Sequence, residues 1–309
     1  MTSARRLYRL GAGIACLGAA ASALATVVAL RALEFNIPSP AALAAVCRDL
    51  MVPEVGAGGA LVIALAGLGM VTFLLGARSL YRQLHAYRRF MATLSPGGAR
   101  VVERSSVTVF EGSAPHAFCA GFLRPRIFLS RGAVERLPAA ELAAVVAHER
   151  HHLGRRDPLR MLAARVLRDA LFFMPILRRL ERRYTALAEI AADEAAARQR
   201  SPQTLASALL AFGESRAPAG AVGIAPERVD HLLGRPPRWE LPLSLLVGSL
   251  VLLGGLVAGT AAAGALVASS SLNAAMLLAQ SCMLAMVALV VAGMFVALVS
   301  SRRPARRAR

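Results

Sequence analysis

From Leu241 to Ser301 the chain carries no charged side chain. A run of that length cannot coat a water-soluble domain, and it is too long for one membrane crossing. It breaks at Ala268-Ser-Ser-Ser-Leu-Asn273, which predicts two apolar helices, roughly 243–267 and 274–299. Two further charge-free stretches, Leu10–Leu30 and Val55–Ala77, have the same character. A charge at the centre of a span costs about 2.5–3.5 kcal/mol, so these four stretches read as transmembrane helices at about 10–30, 55–77, 243–267 and 274–299. The first also contains Ala23-Leu24-Ala25, which resembles the end of a cleavable leader. The apolar run continues to Leu30, so an uncleaved anchor is expected.

The charges fix an orientation. The chain holds 36 basic residues against 18 acidic ones. Arg5, Arg6 and Arg9 precede the first span, the tail after Val299 reads SSRRPARRAR, and 78–240 is rich in arginine. The 31–54 connection has only Arg31 and Arg48 against Glu34, Asp49 and Glu54. Positive residues stay on the cytoplasmic side, so both termini and the middle segment are expected in the cytoplasm of a multi-pass protein of the cell membrane. The expected organisation is an N-terminal transmembrane hairpin (1–77), a cytoplasmic domain (78–240) and a C-terminal transmembrane hairpin with a basic tail (241–309). Topology accounts for the terminal basic clusters, and anionic lipid headgroups suit the excess in the middle, so direct nucleic-acid binding is not expected. Cys16, Cys47, Cys119 and Cys282 show neither a disulfide framework nor a zinc-knuckle spacing.

Within the middle segment, Leu80–Leu94 reads as a juxtamembrane helix ended by Ser95-Pro96-Gly97-Gly98. Two β-prone runs follow, Val101–Phe110 and Phe118–Ser130, the second with a turn at Arg124-Pro125. Helices are expected at about 139–153, from an Asp157 N-cap with Pro158 at N1 to Phe173, and from Pro175 to about Arg200. The apolar run Leu171–Leu177 is expected to be core rather than bilayer contact. A loose loop at 215–226, a turn at Val229–Leu233 and an interfacial Trp239 complete the segment.

The chemistry lies in Ala147-His148-Glu149-Arg150-His151-His152. Residues four apart on a helix point in nearly the same direction, one turn apart, so His148 and His152 can face one ion with Glu149 beside them. This H-E-x-x-H arrangement supplies two zinc ligands and a carboxylate base. With 6 histidines in 309 residues, chance placement yields roughly 0.005 such matches, which makes accident a poor explanation. His151 faces away from the pair and is read as exposed or supporting. A catalytic zinc normally has three protein ligands and an open position. Glu189 and Asp193, again four apart, offer the third ligand and an acceptor for the Nδ1–H of a ligand histidine. Standing alone, they would read as solvated helix charges paired with arginine. Asp157 reads as a helix cap or as a second carboxylate supporting the site.

His148-Glu-Arg-His-His152 followed by Leu-Gly-Arg-Arg-Asp157 resembles the HExxHxxRxD run of bacterial membrane zinc metallopeptidases of the β-lactam sensor–transducer (BlaR/MecR) type. Glu189–Asp193 is similar to their downstream ExxxD, and Ala117–Ile127 to the stretch that forms a strand beside their site. The resemblance covers about 115–200. It implies a mainly α-helical integral membrane protein with four transmembrane helices and an inserted small α+β, zincin-like cytoplasmic domain. It further implies one Zn²⁺ per chain on His148, His152 and Glu189, catalysis by Glu149, and a protein substrate such as a transcriptional repressor in a signalling pathway. Phe118, Cys119, Ala120 and Gly121 are the candidate substrate strand, pairing an extended peptide by β-augmentation. His231 and Tyr184 are candidate oxyanion donors. Two departures stand out. Sensor–transducers carry an extracellular penicillin-binding domain after the last span, whereas nine residues follow Ser300 here, so β-lactam sensing is not expected. Met174-Pro175 stands where these proteins often have Asn-Pro.

Two other readings remain open on sequence: a membrane quality-control protease resembling the heat-shock type, and a non-enzymatic four-span scaffold in which Gly255 and Gly259 support helix association. The oligomeric state is left open as well.

Overall fold

The computed structural model describes residues 2–34, 39–41, 44, 57–102, 105–213, 242–267 and 272–273. Most of these are helical, and the chain forms two compact units. The first comprises Met1–Ala21 and Val71–Gly254, the second Ser22–Met70 and Gly255–Arg309.

Among the described residues, three helices are long and apolar enough to cross a membrane. They are α1 (Thr2–Arg31), α2 (Ala57–Thr93) and α8 (Leu243–Val267). They match the first three expected spans; the fourth, 274–299, lies outside the described residues. The second span and the juxtamembrane helix, read separately from the sequence, form one helix. Leu80–Leu94 continues α2 without interruption to Thr93, because nothing between Ala77 and Leu94 breaks a helix. The 215–226 loop, the 229–233 turn and Trp239 also fall outside the described residues.

In the second unit a short strand, β1 (Leu33–Glu34), pairs in parallel with β6 (Leu272–Asn273). Ala25, Ala29 and Val62 are buried there. Gly259 faces Leu61, whereas Gly255 faces open space, so only one of the two glycines marks a helix contact within this unit.

The first unit contains a four-stranded sheet: β2 (Pro96–Val102), β3 (Ser105–Phe110), β4 (Ala117–Ala120) and β5 (Arg126–Ser130), in the order β2-β3-β5-β4. β2 and β3 are antiparallel, β3 and β5 parallel, β5 and β4 antiparallel. The run Val101–Phe110 is therefore not one strand. β2 ends within it at Val102 and β3 begins at Ser105, with Val102 paired to Ser105; Glu103 and Arg104 lie outside the described residues. The turn expected at Arg124-Pro125 does separate β4 from β5. Gly121 opens that turn at φ 108°, where an added Cβ would lie 2.6 Å from the Arg124 carbonyl oxygen; only glycine holds this conformation without strain.

Five helices follow: α3 (Arg131–Arg136), α4 (Ala139–Arg155), α5 (Asp157–Ala170), α6 (Ile176–Gln199) and α7 (Pro202–Gly213). Ser130 caps α3 by accepting from Ala133 N–H, and the same hydroxyl donates to the Ala114 carbonyl, fastening the 111–116 loop to β5. One buried cluster joins the sheet to α4 through Val107, Ile127, Leu129, Leu142 and Val146. A second joins α1 to α6 through Leu7, Ala15, Leu180, Tyr184 and Leu187. Leu171, Met174, Ile176 and Leu177 lie in this second cluster, so the apolar run at 171–177 is core, with only Phe172 well exposed. Helix α7 has no counterpart in the sequence expectations. Its signal is Ser201-Pro202-Gln-Thr204: Thr204 N–H donates to Ser201 Oγ at 3.1 Å, with proline in the first turn. Leu205 and Ala208 bury it against α4.

Candidate metal centre

Helix α4 carries His148, Glu149 and His152 on its inner face, all 7–8% exposed. The neighbours that bury this face are small: Ala147 of α4 and Ala196 of α6 share one buried cluster with Leu205. Small residues let α4 and α6 approach closely, which brings Glu189 to the histidine pair.

His148 Nε2 and His152 Nε2 lie 3.2 Å apart. Glu189 closes the triangle, its Oε2 3.6 Å from His148 Nε2 and its Oε1 3.6 Å from His152 Nε2. Each ring is held from behind. His148 Nδ1 is 3.0 Å from Asp193 Oδ1, and His152 Nδ1 is 2.9 Å from Asp157 Oδ2. An ionised carboxylate only accepts, so His152 Nδ1 carries a proton and donates to Asp157, while Asp193 faces His148 Nδ1 as a charge partner. Both Nε2 atoms converge on each other and on a carboxylate oxygen. Such a convergence is stable only around positive charge. Ligands at zinc distances of about 2.0–2.2 Å in a tetrahedron stand roughly 3.3–3.6 Å from one another, so the three donor atoms fit a zinc ion in spacing and in kind. Among the described residues, these three form the group that could hold a metal.

The electrostatics agree. Burial disfavours a charged His148, but hydrogen bonds to Asp193 and Glu189 and the field of Glu149 outweigh it, pushing the ring's pKa up to about 10. His151 behaves differently: burial, then Arg155 and His152, lower it to about 4, and it is outside the converging group. Asp157 is 1% exposed, and burial would raise its pKa, yet hydrogen bonds from His152 and Tyr184 hold it below the usual carboxylate range.

The placement of Asp157 corrects the capping assignment. The helix cap is Arg156, in the left-handed region at φ 53°, and Asp157 is the first residue of α5. This sharp turn between α4 and α5 aims the Asp157 side chain back at His152, four residues and more behind it, rather than along its own helix. Tyr184 needs correction too. Its hydroxyl donates to Asp157 Oδ1 at 2.8 Å and the residue is 2% exposed, so it is committed to supporting the site and is not free to bind an oxyanion. The other candidate donor, His231, lies outside the described residues.

β4 is an edge strand: among the described residues it pairs with β5 alone, and it packs beside α4. Phe118 is fixed by ring contacts to Phe90, Phe110 and Phe128 at centroid distances of 5.1, 5.7 and 5.2 Å. Cys119 lies close enough to Glu149 and Asp157 that burial and these two charges push its thiol up to about 12. Sequence reasoning missed Tyr8 and Arg160, which complete the surroundings of Asp157 and Tyr184. Arg160 follows Asp157 by three residues, a usable local signal; Tyr8 offered none.

A mostly helical membrane-type chain whose buried H-E-x-x-H helix meets a carboxylate from a second helix defines the class of metallopeptidases. The BlaR1 peptidase M56 family matches residues 60–226, just over half of the chain, and the chain belongs to that family. Membership implies a membrane metallopeptidase. Neither a curated protein nor a solved structure matches the chain.

Proposed function

We propose that the protein is a zinc-dependent endopeptidase of the cell membrane, holding one Zn²⁺ per chain on His148, His152 and Glu189. The observation that carries this reading is the convergence of two imidazole Nε2 atoms and a carboxylate within tetrahedral spacing. Zinc at such a site supplies Lewis acidity toward a carbonyl and makes a nearby water a better acid, with a pKa of about 7. Asp157 keeps the His152 ring oriented by accepting from its Nδ1, and Asp193 stands beside Nδ1 of His148. Glu149, between the two ligands on α4, takes the proton of the attacking water and returns one to the leaving amine. The free edge of β4 at 117–120 holds the substrate extended by backbone hydrogen bonds. The domain faces the cytoplasm in a multi-pass arrangement, supported by the arginine-rich flanks and by the three apolar helices. Its substrate is a cytoplasmic or membrane-proximal protein, with a transcriptional repressor in a signalling pathway as the leading class.

The test compares cells carrying wild type with cells carrying Glu149→Ala, following loss of intact cytoplasmic proteins, with zinc content measured in both purified chains. Retained zinc with lost cleavage is expected. Cleavage that persists in the variant removes Glu149 from its role, and a wild-type chain that takes up no zinc leaves only a scaffold.

A further inference from the structure

The support behind His152 does not end at Asp157. Oδ2 of that carboxylate takes the His152 Nδ1 proton at 2.9 Å, and Oδ1 takes the Tyr184 hydroxyl at 2.8 Å. Arg155 Nε and Arg160 Nη1 stand 3.7 and 3.8 Å from the same Oδ1, both too far to replace the tyrosine as a hydrogen-bond donor. Tyr8, on the apolar helix α1, touches both neighbours. Its ring lies 5.1 Å from that of Tyr184, tilted by 46°, and the Arg160 guanidinium carbon sits 5.2 Å from the Tyr8 centroid. Ala4, Leu7 and Ala15 of α1 are buried in the cluster that contains Tyr184, so the contact is part of the core. A cavity of about 40 Å³, lined in part by Tyr8, Gly11, Leu180 and Tyr184, lies alongside the two rings. Space beside a pair of rings means that each depends on the other for its position.

We propose that Tyr184, seated by Tyr8 of α1, is a positioning residue for His152, acting through Asp157. The proposal rests on the reading of the site as a metal centre. An imidazole is oriented by its carboxylate only when that carboxylate is itself fixed. Asp157 has two oxygens and one χ2 rotation; with Oδ1 released by Tyr184, it can turn, and the His152 ring turns with it. Arg160 and Tyr8 limit that rotation from the side facing α1. A residue of the first apolar helix thereby contributes to the geometry of a metal ligand.

The experiment is a Co²⁺ titration of the purified full-length chain in detergent, read by visible absorption, which reports ligand geometry without requiring activity. Tyr184→Phe, which keeps the ring and removes the donor, is expected to weaken Co²⁺ binding about 10–100-fold and to shift the absorption bands. Tyr8→Ala is expected to weaken binding several-fold, on the order of the smaller of those effects, with bands moved in the same direction. Tyr8→Phe keeps the ring contact and should restore the wild-type spectrum. Unfolding midpoints of the metal-free forms separate this from a folding role. A lowered midpoint with unchanged bands and affinity in Tyr184→Phe overturns the proposal. A wild-type chain that gives no Co²⁺ spectrum overturns the metal-centre reading and the proposal with it; a normal wild-type spectrum retained by Tyr184→Phe overturns the proposal alone.

Discussion

Exchanging Asp193 for asparagine should change how many protons leave the protein when zinc binds. Asp193 Oδ1 lies 3.0 Å from His148 Nδ1 and is 1% exposed, and this contact leads those that lift the ring's pKa to about 10 against the opposing effect of burial. At about pH 8 such a ring is roughly 99% protonated, whereas an ordinary histidine is roughly 3% protonated. A metal binds only the neutral ring, so zinc entering the wild-type site at that pH displaces about one proton from His148. Asp193→Asn removes the strongest raising contact and its charge, and the proton released from the ring should shrink, with Glu189 and Glu149 still raising its pKa. The signs follow from the raised folded-state pKa. In the metal-free chain, the protonated ring stabilises the fold fully below about pH 6.5, and that contribution fades as the pH rises toward about 10. Zinc affinity runs the other way, rising about tenfold per pH unit over the same window and levelling off above it. Calorimetric zinc titrations in two buffers of different ionisation enthalpy measure the proton count directly. A proton lost by water at the metal is common to both proteins and cancels in the difference. Release equal within about 0.2 proton in the two forms, or an affinity flat between about pH 7 and 9, would refute the reasoning.

Three further outcomes are expected. Gly132→Ala should destabilise the chain by about 1–3 kcal/mol or more, because its Cβ would clash with the Ser113 carbonyl oxygen, a backbone atom that cannot swing aside; an unshifted thermal unfolding midpoint would contradict this. Ser201→Ala should cost about 1 kcal/mol by uncapping α7, visible as faster hydrogen exchange over 202–206 with the sheet unaffected. Cys119 should resist alkylation. Burial, Glu149 and Asp157 push its pKa up to about 12, leaving a thiolate fraction on the order of 10⁻⁴ at about pH 8 and a rate about a thousandfold below that of an ordinary cysteine. Mass spectrometry after iodoacetamide treatment tests this, and Glu149→Gln should speed the reaction.

What was legible in the sequence followed from local geometry. His148 and His152 share a helix face by the pitch of the helix alone, and the charge-free runs mark apolar helices by length alone. The second span and the helix at Leu80–Leu94 are one for a related reason: the end of an apolar stretch is a change in solvent, which alone does not stop a backbone, and even Gly76 stays inside α2. The positions of Glu189 and Asp157 depend on less visible features. Glu189 reaches the histidines where Ala196 of α6, 0% exposed, packs in one buried cluster with Ala147 of α4. Alanines in a helix read as mere propensity, yet here their small size sets the separation between the two ligand-bearing helices. Asp157 owes its direction to the left-handed Arg156, a conformation that the residue type does not advertise. A larger side chain at Ala196 would therefore do more than overpack a core. It would part α6 from α4, and the Glu189 oxygens, now 3.6 Å from both Nε2 atoms, would lose their common centre while every ligand residue stayed in place in the sequence. The H-E-x-x-H signature thus records the half of the site that one helix can encode, and the alanine seam records how the other half is brought to it.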